Sequence, residues 1–270
     1  MTGRLFLHVL SLQARKLMSY RTNFWLSAVV TFVVELALAW FLWSAIFRET
    51  GRSVIASFTL SAMVYYYVAA ILLGKLVKGP ERELDVSQEI YDGSLTRYLL
   101  YPTNYFGFKY AQQLGQMVPS VVELAVFGVV AIVVLPAPEG LDVSTASVAM
   151  AAVSVAVSNL LHYLLVFPIE SVAFWADNVW ALNVMYRFVS QMLGGLLLPL
   201  NLFPEWAHPL VDALPFKYLY YVPAMTLLGN VPPVEWARGI AISLVWCGVA
   251  ALAGHLVWRR GTRQYTGVGI

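Results

Sequence analysis

Six stretches of this 270-residue chain are long and apolar enough to cross a bilayer as helices, which limits its possible folds more than any other feature. A crossing takes about 20 mostly apolar residues at a rise of ~1.5 Å each. The stretches are 24–47, 54–73, 114–135, 146–167, 179–200 and 239–258. Charge enters them only at Glu35, Glu123 and Arg187. Charged residues make up 12% of the chain, about half the ~25% of a soluble domain, and 60% of residues are hydrophobic. An ordinary soluble enzyme, a basic nucleic-acid binder and a disordered chain are excluded. No period-2 alternation marks strands or an outer-membrane barrel. The expected fold is an all-α integral membrane protein forming a single domain over 1–270.

Lysine and arginine placement sets the expected orientation, because cytoplasmic loops carry the excess. Even-numbered crossings put both termini on one side. Twelve cations share that side: Arg4, Arg15, Lys16, Arg21, Lys75, Lys78, Arg82, Arg97, Lys109, Arg259, Arg260 and Arg263. Four remain opposite: Arg48, Arg52, Lys217 and Arg238. The termini are therefore expected in the cytoplasm, with the protein in the cell (inner) membrane. Residues 1–22 do not read as a cleaved signal peptide, since no small-residue cleavage site follows a short apolar core. They read as an interfacial helix, with Leu5, Phe6, Val9, Leu10, Leu12 and Leu17 on one broad side.

Catalytic motifs are missing. Gly74 and Lys75 are followed by leucine and form no phosphate-cradling loop. His8, His162, His208 and His255 sit in separate segments and read as structural residues; Cys247, the single cysteine, can form no internal disulfide. No metal site, cofactor or catalytic residue is assigned. The intramembrane charges are expected to face the bundle interior, because an unpaired charge costs at least ~2.5–3.5 kcal/mol there. Arg187 is expected to pair with Glu123 or Glu35, all three lying some 12–16 Å from the cytoplasmic helix ends at ~1.5 Å per residue. Bracing of the bundle is favoured over lining of a path, and both stay open.

Two connections are long. The outer one, 201–235, is apolar and holds Pro204, Pro209, Pro215, Pro223, Pro232 and Pro233, which break it into short helices. It is expected to form a hairpin that dips into the outer leaflet. The cytoplasmic one includes 80–102. There Pro80 suits a first helical turn, Glu81, Glu83 and Asp85 suit the positive end of the dipole, and Gly93 suits a stop. A polar helix bearing Leu84, Gln88 and Tyr91 on one side and Ile90 on another fits docking on a soluble partner.

These residues resemble the ABC-2 type transporter permeases, in particular their short six-span branch with unassigned substrates. Glu89, Ile90, Gly93, Leu95, Leu99, Leu100 and Pro102 follow the spacing of that family's cytoplasmic segment. Gly195, Pro199, Phe203, Pro204 and Trp206 resemble its fifth-span exit. Leu214, Pro215, Phe216 and Pro223, followed by Leu228 and Gly229, resemble its outer hairpin. The resemblance implies a permease without a nucleotide site, paired with a second permease chain (homodimer or heterodimer). Two separate ATPase subunits would carry ATP and Mg. It implies a coupling helix within 80–102, so Glu81, Leu84, Gln88, Glu89, Ile90, Tyr91, Asp92, Gly93 and Leu95 are the expected ATPase-docking residues. It also implies a pathway along spans one, two and five, with Phe32, Trp40, Tyr65, Tyr66, Met192 and Leu196 as candidate lining. Aromatic and methionine lining favours an amphipathic cargo (drug-like, lipid or glycan-linked), and export is preferred. The competing readings are a self-energised carrier using Glu35 and Glu123, and a non-transporting membrane scaffold.

Overall fold

The computed structural model describes residues 3–18, 21–79, 85–138, 141 and 143–267. Among these the chain is helical, and the only strand-like pairing is one bridge between Ile55 and Phe58. The α-helices are α1 (Gly3–Met18), α2 (Arg21–Thr50), α3 (Leu60–Lys78), α4 (Asp85–Tyr91), α5 (Leu95–Leu99) and α6 (Tyr105–Val134). They continue with α7 (Thr145–Ser171), α8 (Trp180–Leu193), α9 (His208–Ala213), α10 (Tyr221–Leu227) and α11 (Pro233–Thr262).

Among the described residues, five helices are long and apolar enough to cross a membrane: α2, α3, α6, α7 and α11. The stretch 179–200 does not form the expected sixth. Its helix, α8, has 14 residues, about 21 Å at ~1.5 Å each, short of the ~30 Å hydrocarbon core. The cause is the Gly194–Gly195 pair. Gly195 has φ +88°, where a side chain is strained, and the amides of Leu196 and Leu197 both fold back onto the Gln191 carbonyl.

Other boundaries move for local reasons. Residues 54–59 form a loop in which Ala56 and Ser57 have positive φ. Thr59 then caps α3, its hydroxyl accepting from the Ala62 amide at 3.3 Å. So α3 starts later than 54 and runs through Lys75 to Lys78. Asn104 caps α6, accepting from the Gly107 amide, which starts that helix nine residues before 114.

The centre of the bundle is α3, whose Met63, Tyr66, Ala70 and Val77 are fully enclosed. Helix α6 runs antiparallel to it: Tyr65 donates to the Leu135 carbonyl at one end, and Lys75 meets Glu123 further along. Phe32 of α2 stacks on Phe127 of α6 at 4.7 Å. Helices α7 and α11 run parallel, since Trp236 donates to Met150 and Ser154 near their starts and Phe167 meets Trp258 near their ends. The chain must therefore travel back along the bundle between them. It does so through α8 and 194–201, reaching the loop before α3, where Asn201 donates to the Ala56 carbonyl. It then dips again. Tyr220 reaches the neighbourhood of Gly74, a drop of roughly 20 Å along α3 at ~1.5 Å per residue. Helix α10 climbs back, packing Ala224 and Leu228 beside Met63.

The N-terminal helix α1 lies along α6. A methyl group added at Gly115 would come within 2.5 Å of the Leu10 carbonyl, so glycine is what lets the two backbones approach.

Candidate functional site

At the end of the bundle where α7 and α11 finish, the sequence builds a short hairpin: α4, a turn at Gly93, and α5. Gly93 has φ +75°, which ends α4 at the residue expected to stop it. The Asp92 carboxylate accepts from the Ser94 amide at 2.9 Å and fixes the turn. Hydrogen bonds from Ser94, side chain first and then amide, hold the Asp92 carboxyl below its ordinary pKa. Glu81 and Leu84, expected to take part, lie outside the described residues.

Three anchors seat the hairpin. The first is Glu170 near the end of α7, whose carboxylate accepts from the Val86 amide at 3.0 Å. It thereby satisfies one of the otherwise open donors at the start of α4. The second is Glu89, which accepts from the Tyr105 hydroxyl at 2.6 Å and from the Lys109 ammonium at 2.5 Å. The Lys109 and Glu89 side chains are 7% and 13% exposed, so this is a nearly dry pair. The third is the C-terminal Tyr265, whose hydroxyl donates to the Gly93 carbonyl at 2.9 Å and lies 3.2 Å from Thr96.

An apolar and aromatic floor lies beneath. Val86, Ile90 and Leu95 are buried among Tyr105, Tyr163, Phe167, Ala173 and Val179. Tyr105 stacks on Trp258 at 4.7 Å, and Tyr98 meets Tyr105 edge-on at 5.8 Å. Gly261 leaves room for Phe174 to lie against α11; a methyl group there would meet the ring at 2.0 Å.

The docking residues named from the sequence therefore divide in two. Ile90 and Leu95 are enclosed by their own chain, and Glu89 is turned toward Lys109. Tyr91 and Gly93 are half-buried. Gln88 and Asp92 are exposed, together with Thr96, Arg97, Leu99, Leu100 and Tyr101 beyond them. Sequence reasoning missed the anchors Glu170, Tyr105 and Tyr265, and counted Lys109 only as a loop cation. No local signal marks these residues, because each acts on a segment distant in the chain.

The candidate path residues are dispersed. Phe32, Tyr65 and Tyr66 are buried inside the single chain and brace helices; Tyr66 donates to the Gly195 carbonyl at 2.6 Å. Trp40 is 39% exposed on α2, whereas Met192 and Leu196 are half-buried at the end of α8 and beyond. Of the intramembrane charges, Glu123 is buried and paired with Lys75 at 3.0 Å. Lys75 lies beyond the apolar stretch 54–73, and the longer α3 brings it inside. Because α6 begins at Tyr105, Glu123 lies about 27 Å from that end at ~1.5 Å per residue, deeper than the expected 12–16 Å. Glu35 is on the exposed side of α2 and not in the interior of this chain, and Arg187 is half-buried on α8.

Long apolar helices around a buried central helix define a multi-pass membrane protein. A family model described as "ABC-2 family transporter protein" matches residues 33–269, and the chain belongs to that family. It is a membrane transport component of the permease type, a family associated with ABC ATPase components. No curated protein matches it significantly in sequence.

Proposed function

We propose that this chain is the membrane subunit of an ATP-binding cassette exporter, working beside a second permease and driven by two separate ATPases. The observation that carries the reading is the α4–Gly93–α5 hairpin. Its inner side is clamped to α6, α7 and the C-terminal segment, while Gln88, Asp92, Arg97 and Leu100 form a free outer edge. A push on that edge is delivered to α6, α7 and the segment after α11 at once, as a coupling element requires. The ATPase closes on nucleotide, and the differential binding energy of its two states tilts the spans.

The lysine and arginine bias supports placing both termini and this hairpin in the cytoplasm. The return of the chain through α8 and 194–201 then supplies the sixth passage, and the dip to Tyr220 is a re-entrant segment covered by protein. A second permease suits α2, which exposes a row of apolar side chains, Val33, Leu38 and Phe41 among them. The Lys75 partner of Glu123 weighs against a proton-coupled carrier built on that residue. An amphipathic cargo fits the apolar character of α2 and α8.

The test is co-purification with a co-expressed ABC ATPase from the same genome. Gln88→Arg combined with Leu100→Asp alters only the exposed edge, so the complex should be lost while the permease keeps its monodisperse elution. A complex of undiminished yield would refute the docking assignment.

A further inference from the structure

The hairpin has an apolar crevice on its membrane side. About 490 Å³ of space opens between α5, the start of α6, the end of α7 and the last turns of α11, within the 300–1,000 Å³ range of built ligand sites. Its back wall is aromatic, formed by Tyr98, Tyr105, Phe167 and Trp258, and its opening runs along Ala251 and His255 of α11. From Ala250 to Trp258 the crevice follows α11 for about 12 Å at ~1.5 Å per residue. That stretch is the final part of the apolar run of α11, and Arg259 and Arg260 come next. The crevice therefore occupies the depth of one leaflet, about half of the ~30 Å core, with its polar end at the level of the headgroups.

Exposed arginines neighbour the lining at that end. Arg259 is exposed one turn beyond His255 on the same helical row. Exposed Arg97 sits over the ring of Tyr98, which lines the crevice, its guanidinium 5.0 Å from the ring centre and the Asp92 carboxylate within its electrostatic reach. An apolar slot of leaflet depth, with an exposed arginine next in sequence to each of the lining residues Tyr98 and Trp258, matches one class of ligand, an acyl chain bearing an anionic head.

We infer that this crevice binds one anionic phospholipid of the inner leaflet, with a chain along Ala251 against Tyr105 and Trp258 and the phosphate between Arg97 and Arg259. The bound lipid touches Tyr98 and Tyr105, the pair joining α5 to α6, and so becomes part of the support of the hairpin. Only the word "inner" rests on the orientation proposed above.

The test uses the full chain, without ATPase, in vesicles of phosphatidylglycerol and phosphatidylcholine with the same composition in both leaflets. Lipid retained after delipidation is counted by native mass spectrometry. Neither the orientation nor ATPase docking affects this readout, so it can fail while they stand. The wild type should retain one phosphatidylglycerol per chain in preference to phosphatidylcholine. Arg97→Ala with Arg259→Ala should lower that preference roughly 25-fold, the product of two ~five-fold factors for basic residues at an anionic surface. Ala251→Phe, at an exposed position that tolerates a larger side chain, should abolish retention. Quenching by phosphatidylglycerol brominated on its chains should be weaker in Trp258→Phe than in the wild type. Equal retention of the two lipids by the wild type, or full retention by Ala251→Phe, would overturn the assignment.

Discussion

Glu89 and Lys109 show how much a single buried contact carries here. Their pair is almost dry, so removing one partner strands a charge and costs about 3–5 kcal/mol, whereas replacing both can be nearly neutral. Lys109→Met should therefore sharply lower the thermal midpoint of the purified protein. Adding Glu89→Gln should recover most of the loss, because Gln still accepts from the Tyr105 hydroxyl. A loss that does not recover in the double variant would place the effect elsewhere. Asp92 gives a pH signature. Its folded pKa is depressed, so its contribution to the turn is present above the ordinary carboxylate value of ~3.9 and is lost as pH falls through the lower folded value. Protection of the Ser94 amide, taken relative to its intrinsic exchange rate, should fall over that acid range in the wild type and stay level in Asp92→Asn. At this scale the sequence showed which residues were unusual but not their partners. Glu123 stands out in the sequence as an intramembrane carboxylate, yet its partner Lys75 lies past the apolar stretch 54–73 and gives no sign of being inside the helix.

The elements were more legible than the contacts between them. Five of the six apolar stretches are long helices, because a 20-residue apolar run leaves the backbone no other way to satisfy its polar groups in lipid. Their ends moved where caps outweighed hydropathy, at Thr59 and Asn104. The fifth stretch failed as a straight helix although 179–200 is apolar throughout apart from Arg187. Hydropathy does not see that Gly194 and Gly195 are packed against Tyr220, Tyr221 and Tyr66. Gly195→Ala tests this reading. The added methyl meets the Tyr66 hydroxyl at 2.7 Å in a backbone region with φ +88°, which should destabilise the protein by about 1–3 kcal/mol. In Gly248→Ala the added methyl meets nothing within 4 Å, so its midpoint should stay close to wild type. Similar midpoints for the two variants would show that the break after α8 is not set by close packing. The proline-rich segment was legible as a series of short helices, but its depth was not, since that depends on the cover α3 and α7 provide.

At the scale of the whole molecule, long α6, α7 and α11 converge at one end on a small hairpin that holds together through Glu89, Glu170 and Tyr265. The family was readable from Glu89, Ile90, Gly93, Leu95 and Pro102, and the match over 33–269 bears it out. Which side of that segment faces outward was not readable, because Ile90 and Leu95 look like contact residues until α7 is seen to bury them. Cysteine cross-linking tests the central claim directly, and the native Cys247 is buried and gives little background. Leu100 is 80% exposed on the hairpin, and Val234 is 81% exposed at the opposite end of α11. In a transport-active complex, Leu100→Cys should cross-link to the ATPase in a nucleotide-dependent way, and Val234→Cys should not. No cross-link at Leu100, or an equal one at Val234, would contradict the account.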